Sequence, residues 1–286
     1  MNIETVSLEK LYPFKGYPFR IQKDEALDEL AASIAFEGVF NPIIVRPIEN
    51  GDYEIVSGHR RYEACKLAGV DKIPAIVRDI SRDEATIIMV DDNLTQRSEI
   101  LPSEKAFAYK MKMDAMNRKG YRTDLDTSYQ VDTRLDSAED IGKKTGDSRA
   151  QVFRYIRLTC LVPELLKMVD EGRIAFGPAV ELSYLTSDEQ QNLYETIVTE
   201  EATPSLSQAQ RMRRISETEG LDIDTVSDIL SEIKGNQVES IRLPASIVQQ
   251  HFKRYVTPKE MQEFITKAVD FYCRYLKNRE RNNDAR

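Results

Sequence analysis

Apolar positions in the first hundred residues follow two rhythms. From Asp24 to Phe36, Leu27, Leu30, Ala31 and Ile34 recur at three- and four-residue intervals, predicting an amphipathic helix that Gly38 stops. The β-branched run Pro42–Arg46 predicts a strand. Asn50-Gly51 predicts a hairpin turn, since these residue types tolerate the positive φ that tight hairpins need, and Tyr53–Val56 reads as the returning strand. A helix from Gly58 to Gly69, a strand over Ile73–Val77 and a helix from Arg82 to Leu94 complete a compact α+β unit.

Beyond Pro102 the strand pattern nearly vanishes. Ser103–Lys119 has helical periodicity, with Ser103 placed to cap it and Gly120 to stop it. Residues 121–136 are polar and aperiodic and predict an exposed loop. Helices then run to about Ile233, punctuated by Gly146, Pro163, Gly172, Gly177-Pro178 and Pro204. Past Gly235-Asn236 come a candidate strand, Val238–Leu243, and helices from Ser246 and from Thr257-Pro258. The expected organisation is an α/β domain over 1–100, an all-α domain over 101–235 and a small α/β or helical unit over 236–286. In that last unit Phe252, Tyr255, Met261, Phe264, Ile265, Val269, Tyr272 and Leu276 give an apolar face, expected chiefly as core. Fifty residues bury little alone, so dimerisation or docking is its other expected use. Lys277, Arg279 and Arg281 are either phosphate contacts or a frayed tail.

Composition narrows the class. The 286 residues are 41% hydrophobic and 31% charged, with a net charge of −8. No apolar run approaches the roughly 20 residues that span a bilayer, and Met1-Asn2-Ile3-Glu4 lacks the basic and apolar regions of a secretion signal. The expectation is a cytoplasmic protein with no membrane partner. Cys65, Cys160 and Cys273 read as reduced, buried thiols, and with only His59 and His251 a multi-histidine metal site is not expected. The acidic total argues against indiscriminate coating of nucleic acid, yet basic residues gather in Lys143–Arg157 and Arg211–Arg214.

Two motifs carry chemistry. In Ser57-Gly58-His59-Arg60-Arg61, Ser57 is placed to cap the helix, and two arginines fill a first turn whose dipole favours anions. Free N–H groups, a glycine and two guanidinium forks suit a phosphate; a capped surface helix with solvated arginines is the other reading. Ser137–Leu158 reads as helix, glycine turn, helix, with the small Gly142 four residues before Gly146 and the apolar Val152 six after it. That spacing suits a helix-turn-helix, in which the second helix enters the major groove. Ser148, Arg149, Gln151 and Arg154 would lie on its exposed half, while Lys143 and Lys144 would hold phosphates. An ordinary helical hairpin with a solvated basic face is the alternative.

Together the motifs resemble the ParB partition proteins of bacterial chromosomes, plasmids and mobile elements. Gly58–Ala64 is similar to that family's Gly-Glu-Arg-Arg-x-Arg-Ala box, and Gly38–Arg46 to its Gly-x-x-Gln-Pro-Ile-x-Val-Arg segment. Asp92–Arg97 resembles its Glu-Asn-Leu-Gln-Arg segment, with Pro102-Ser103-Glu104-Lys105-Ala106 following. The helix-turn-helix and Glu171–Ala179 also fit, so the likeness spans about residues 3 to 215. It implies a small ParB/sulfiredoxin-like domain followed by a helical domain, forming a homodimeric, nucleoid-associated DNA clamp. Such a clamp loads at a palindromic centromere-like duplex, uses CTP and Mg²⁺ as a switch and works with a ParA-like ATPase. Carried over by position, Asn41, Gly58, His59, Arg60 and Arg61 would line the nucleotide site, and Asn93 would lie near the triphosphate and Mg²⁺. Asp92 would be the catalytic carboxylate of any slow CTP hydrolysis.

This chain departs from the family at His59, Glu63 and Asp92, and carries one extra residue between Leu94 and Gln96. His59 removes a negative charge beside the phosphates, and Asp92 has a shorter reach than glutamate. A helix-turn-helix regulator without nucleotide turnover is therefore the second reading. A nuclease or ATP-dependent kinase on the same fold is the third. Sulfiredoxins place a reactive thiol just before the histidine of a related box; here Gly58 stands there and Cys65 lies about two helical turns further on. Asp91 and Asp92, neighbours on a helix, point about 100 degrees apart and cannot simply share one metal.

Overall fold

The computed structural model describes residues 3–97, 99–119, 129–232, 244–252 and 254–284. Five strands, β1 (Ile3–Ser7), β2 (Leu11–Tyr12), β3 (Ile43–Pro47), β4 (Tyr53–Ser57) and β5 (Lys72–Val77), make one sheet in the order β1-β5-β3-β4-β2. β3 pairs antiparallel with β4 through the turn at Asn50 and Gly51, whose φ values are 69° and 77°. β5 lies parallel to β3 and antiparallel to β1, and β2 runs parallel to β4. β1 and β2 have no counterpart in the sequence pattern. Both are short edge strands with a single buried apolar residue each, Val6 and Leu11, too little for a period-2 signal.

Alternation along β4 sends successive side chains to opposite faces. Ile55 joins Ile43, Val45 and Ile73 against helices α1 (Glu25–Glu37) and α2 (His59–Leu67). Val56 faces the other way, into Phe14, Phe19 and helices α3 (Arg82–Gln96) and α4 (Pro102–Lys119). Both sheet faces are covered, which is why Glu54 to Ser57 are buried without a break. α1 is capped by the Asp24 carboxylate on the Leu27 N–H (3.0 Å), and α3 by a reciprocal Ser81–Glu84 box.

The helical part continues with α5 (Tyr129–Thr145), α6 (Arg149–Arg157), α7 (Pro163–Asp170), α8 (Phe176–Leu182), α9 (Ser187–Glu200), α10 (Leu206–Thr218) and α11 (Ile223–Ser231). Leu158, Leu165, Leu182, Leu193, Ile197 and Met212 anchor its main core. Residues 1–232 form one compact unit and 233–286 a second, whose described helices are α12 (Ala245–Gln249) and α13 (Pro258–Asp284).

Several expectations change. Residues 129–136 belong to α5 rather than to a loop, while 120–128 lie outside the described residues, as does the candidate strand Val238–Leu243. Ser103 does not cap α4, which begins one residue earlier at Pro102, a favoured first helical position. Its N–H and hydroxyl instead donate to Asp170 of α7 (2.9 and 2.6 Å). Cys65 is buried, but Cys160 and Cys273 are exposed. In the second unit Val248, Val256 and Met261 form a small core with Phe252 and Ile265. Tyr255, Phe264, Val269, Tyr272 and Leu276 are exposed instead, so that face is only partly core. The side chains of Lys277, Arg279 and Arg281 lie outside the described residues.

Candidate functional site

The first site is a cleft of about 180 Å³ where β4 passes into α2. Tyr17, Gly58, His59, Arg60, Arg61, Asp92, Asn93, Gln96 and Arg97 line it. The N-cap of α2 is Gly58, in the left-handed region at φ 103°, and no side chain caps the helix. This corrects the expected role of Ser57, whose hydroxyl donates to the Asp92 carboxylate of α3. The first-turn N–H groups of α2 have no intrahelical acceptor, as at any helix start. With no capping side chain over them, they are suited to an anion.

The two box arginines are held differently. Arg60 pairs with Asp24 at 2.8 Å, and that contact keeps the Asp24 carboxyl below its usual range. Arg61 donates to the Asn41 and Pro42 carbonyls at 2.7 and 2.6 Å, and burial lowers its affinity for the proton. The Asn41 side chain is exposed and is not among the cleft-lining groups; its backbone carbonyl is what Arg61 reaches.

His59 is buried and turned inward. Its Nε2 accepts the Phe14 N–H (3.3 Å) and its ring stacks on Tyr17, centroids 3.8 Å apart. Burial first, and the Arg97 charge second, push its pKa down to about 3, so the ring is neutral near pH 7. Asn93 Oδ1 accepts from the Tyr17 hydroxyl (2.8 Å) and from Arg97 Nε (3.2 Å), and its amide donates to the Met89 carbonyl. Asp92 also accepts from Gln96. Asp91 points elsewhere, paired with the buried Lys112 and with Lys144 (2.7 Å). Among the described residues the two aspartates share no side-chain partner, and no three His, Cys, Asp or Glu gather as a metal cluster. Sulfur chemistry is equally unsupported at Cys65, whose thiol burial pushes up.

Tyr17, Gln96 and Arg97 belong to the cleft without having been singled out in the sequence. Gln96 and Arg97 close the Asp92–Arg97 motif, which was the available signal. Tyr17 lies between β2 and α1 in a stretch with no periodicity, and only the fold brings it to His59.

The second site is the helix-turn-helix, α5 and α6 around Gly146 (φ 78°). A Cβ on Gly142 would stand 2.3 Å from the Asp147 carbonyl oxygen, so this position must be glycine for α5 to meet the turn. Tyr109 of α4 secures the turn from below, its hydroxyl 2.8 Å from Thr145 Oγ1 and 2.5 Å from Asp147 Oδ2, and Lys105 pairs with Asp147 at 2.7 Å. Ser148 caps α6 on the Gln151 N–H (3.2 Å). Arg149 is exposed, and Arg154 is exposed with its guanidinium over Phe176 and 3.4 Å from Gln151 Oε1. The expected phosphate-holding lysines sit in ion pairs: Lys143 with Glu139 and Asp140, Lys144 with Asp91. Both ammonium groups remain largely exposed.

An anion-suited cleft on an α/β domain and a helix-turn-helix on a helical domain thus share one compact unit. Residues 1–94 match the family model of the ParB N-terminal domain, and residues 131–218 that of the ParB HTH domain. The chain is 31% identical over 188 residues to the chromosome-partitioning protein Spo0J of Thermus thermophilus, covering 66% of this chain and 62% of that protein. It thus spans less than two thirds of that relative's length. It is also similar to the truncated ParB of Caulobacter crescentus solved with the centromeric parS site (26% identity, 74% of this chain, 98% of that, TM-score 0.43). The same ParB solved with CTP-gamma-S gives 28% identity over 69% of this chain and 99% of that, TM-score 0.32. This chain belongs to the ParB partition protein family.

Proposed function

We propose that the chain is a CTP-regulated, dimeric DNA-binding protein that acts in DNA partition at a palindromic centromere-like site, alongside a ParA-like ATPase. Residues 1–100 would carry the nucleotide and 101–235 the DNA. The carrying observation is the family's box folded into an uncapped helix start beside Arg60, Arg61 and Arg97, in the same unit as the helix-turn-helix. The cytidine base is suggested by the relative solved with CTP-gamma-S. Among the described residues no helix is long and apolar enough to cross a membrane.

The cleft's donor set fits a triphosphate. Guanidinium forks at Arg60, Arg61 and Arg97 offer charge-assisted hydrogen bonds, and the α2 N-terminus adds backbone donors. Asn93 and Asp92 are the oxygen donors that would help hold a phosphate-bound Mg²⁺, which keeps several waters and needs few protein ligands. The magnesium would supply charge neutralisation between phosphates. This chain's own residues supply the cradle.

Titration of labelled CTP, with and without a parS-type duplex, tests the reading. Saturable CTP binding strengthened by the duplex is expected; no binding in either condition removes the switch. Arg61→Ala should weaken CTP at least about tenfold, the scale of a lost charged hydrogen bond, while leaving duplex binding nearly intact. Arg149→Ala should do the reverse, losing about 1–3 kcal/mol of base discrimination. One observation favours the regulator without turnover: Asp92, among the described residues the one carboxylate lining the cleft, is already tied to Ser57 and Gln96. Stoichiometric operator binding without phosphate release would select that reading.

A further inference from the structure

The recognition helix α6 carries an aromatic residue that the interior does not use. Val152, Tyr155 and Ile156 turn inward and join the buried clusters. Helical spacing places Arg149, Ala150, Phe153, Arg154 and Arg157 on the opposite, outer side. Phe153 sits in the middle of that side, 36% exposed, and packs into neither cluster. It stands at the rim of an open cleft with Lys110, Arg154, Arg157 and Tyr184. Positive side chains therefore surround one apolar ring on the surface that a helix-turn-helix presents to DNA.

A phenyl ring makes no hydrogen bond to a base edge, so it cannot use the donor and acceptor code. In unmodified DNA the apolar feature of the major groove is the 5-methyl group of thymine, and phenylalanine is among the side chains that contact it. The exposed Arg149 and Arg154 suit phosphates and guanine, fixing the helix so that the ring meets the groove floor, while Arg157 is tied to Ser183 and Tyr184. We propose that Phe153 is a specificity-determining residue that reads a thymine methyl in the bound duplex. This rests on the DNA-binding reading above. It adds an apolar contact to the polar set Ser148, Arg149, Gln151 and Arg154.

The test begins with selection of duplexes from a randomised library by the full-length protein. In the selected duplex each thymine is then replaced in turn by deoxyuridine, which lacks only the methyl. At one or more positions wild type should bind the uridine duplex about fourfold more weakly, the scale of one methyl withdrawn from an apolar contact. Phe153→Ala should bind both duplexes equally there, and Phe153→Gln, of similar length without an apolar tip, serves as a second variant. Because each protein gives its own thymine-to-uridine ratio, a change in the active fraction cancels. Equal wild-type binding at every position overturns the proposal. So does either variant that keeps the wild-type ratio, which would leave Phe153 to a protein partner instead. A wild type that selects no duplex fails the DNA-binding reading itself, and this inference with it.

Discussion

Gly58→Ala is expected to abolish nucleotide binding and to destabilise the 1–232 unit by about 2 to 5 kcal/mol. Two independent costs add. A non-glycine residue at φ 103° pays roughly 1–2 kcal/mol for the left-handed backbone. The new Cβ would also lie 2.5 Å from Ile43 Cγ2 and 3.0 Å from Ile43 Cβ. Ile43 has no room to retreat. It is fully buried, β-branched and set in a strand flanked on both sides, so overpacking should add about 1–3 kcal/mol. The third neighbour, the Arg61 guanidinium carbon at 3.3 Å, is a flexible tip but also a cleft-lining group. Relief by moving β4 away from β3 would shift the start of α2 and its N–H groups together. Denaturant unfolding measures the first effect and CTP titration of the remaining folded protein the second. An alanine variant of wild-type stability with wild-type affinity would refute both.

The same glycine shows how far the sequence could be read. The strand–glycine–helix junction was legible because three local signals agree at one place: β-branched residues before Gly58, arginines after it, and helical periodicity to Gly69. Position was legible too, since Asp92-Asn93 and the box keep the family's order. What Ser57 does was not. Its residue type matches a cap, but its hydroxyl is drawn to Asp92 of α3, a partner 35 residues away that local pattern cannot reveal. The helix-turn-helix was legible for the opposite reason. Its close approach at Gly142 and its turn at Gly146 are both local requirements written as glycines.

Charge pairing adds contacts that the local pattern does not disclose. Lys143 and Lys144 stand in a basic neighbourhood that suits phosphate contacts; in the structure Lys144 also pairs with Asp91 on α3 and Lys143 with Glu139 and Asp140 on its own helix, while both ammonium groups stay largely exposed. Lys112 had no signal at all. It lies in an ordinary helical stretch and becomes a buried ammonium only because α4 packs on α3 beside Asp91. Burial lowers its pKa while Asp91 opposes that shift. Removing Asp91 would leave the charge unpaired, the costly way to break such a pair. Edge strands β1 and β2 and the cleft residue Tyr17 share this character, being specified by what they meet rather than by what precedes and follows them.

His59 should make this protein lose stability in acid earlier than its carboxylates alone would. The ring is neutral in the folded chain, with a pKa near 3 against an ordinary value of 6.5, because burial penalises the imidazolium and the Arg97 charge repels it. Geometry sets the same requirement. Nε2 must be unprotonated to accept the Phe14 N–H, and the stack on Tyr17 leaves little room for solvent to hydrate a charge. Between pH 6.5 and 3 the unfolded chain binds a proton that the folded chain refuses, so stability rises with pH there. The contribution is complete above pH 6.5 and is lost as pH falls toward 3. The slope should reach about 1.4 kcal/mol per pH unit, and the whole loss should be on the order of 5 kcal/mol. His59→Gln can retain an acceptor for Phe14 and does not titrate. Urea unfolding of both proteins from pH 7 to 4.5, where most carboxylates remain ionised, should show a steep decline for wild type and a flatter one for the glutamine variant. Parallel declines would mean that the imidazole is solvated and charged in the folded state. The cleft is built on the same ring, because Tyr17 connects His59 to Asn93, and Arg97 connects Asn93 to the Arg20 carbonyl at 3.1 Å. Protonating His59 forfeits the Phe14 anchor at the rear of the cleft. Because the folded chain keeps that ring neutral until about pH 3, CTP affinity of the folded wild type should not change through His59 between pH 7 and 4.5, where its stability declines, and His59→Gln should match it there.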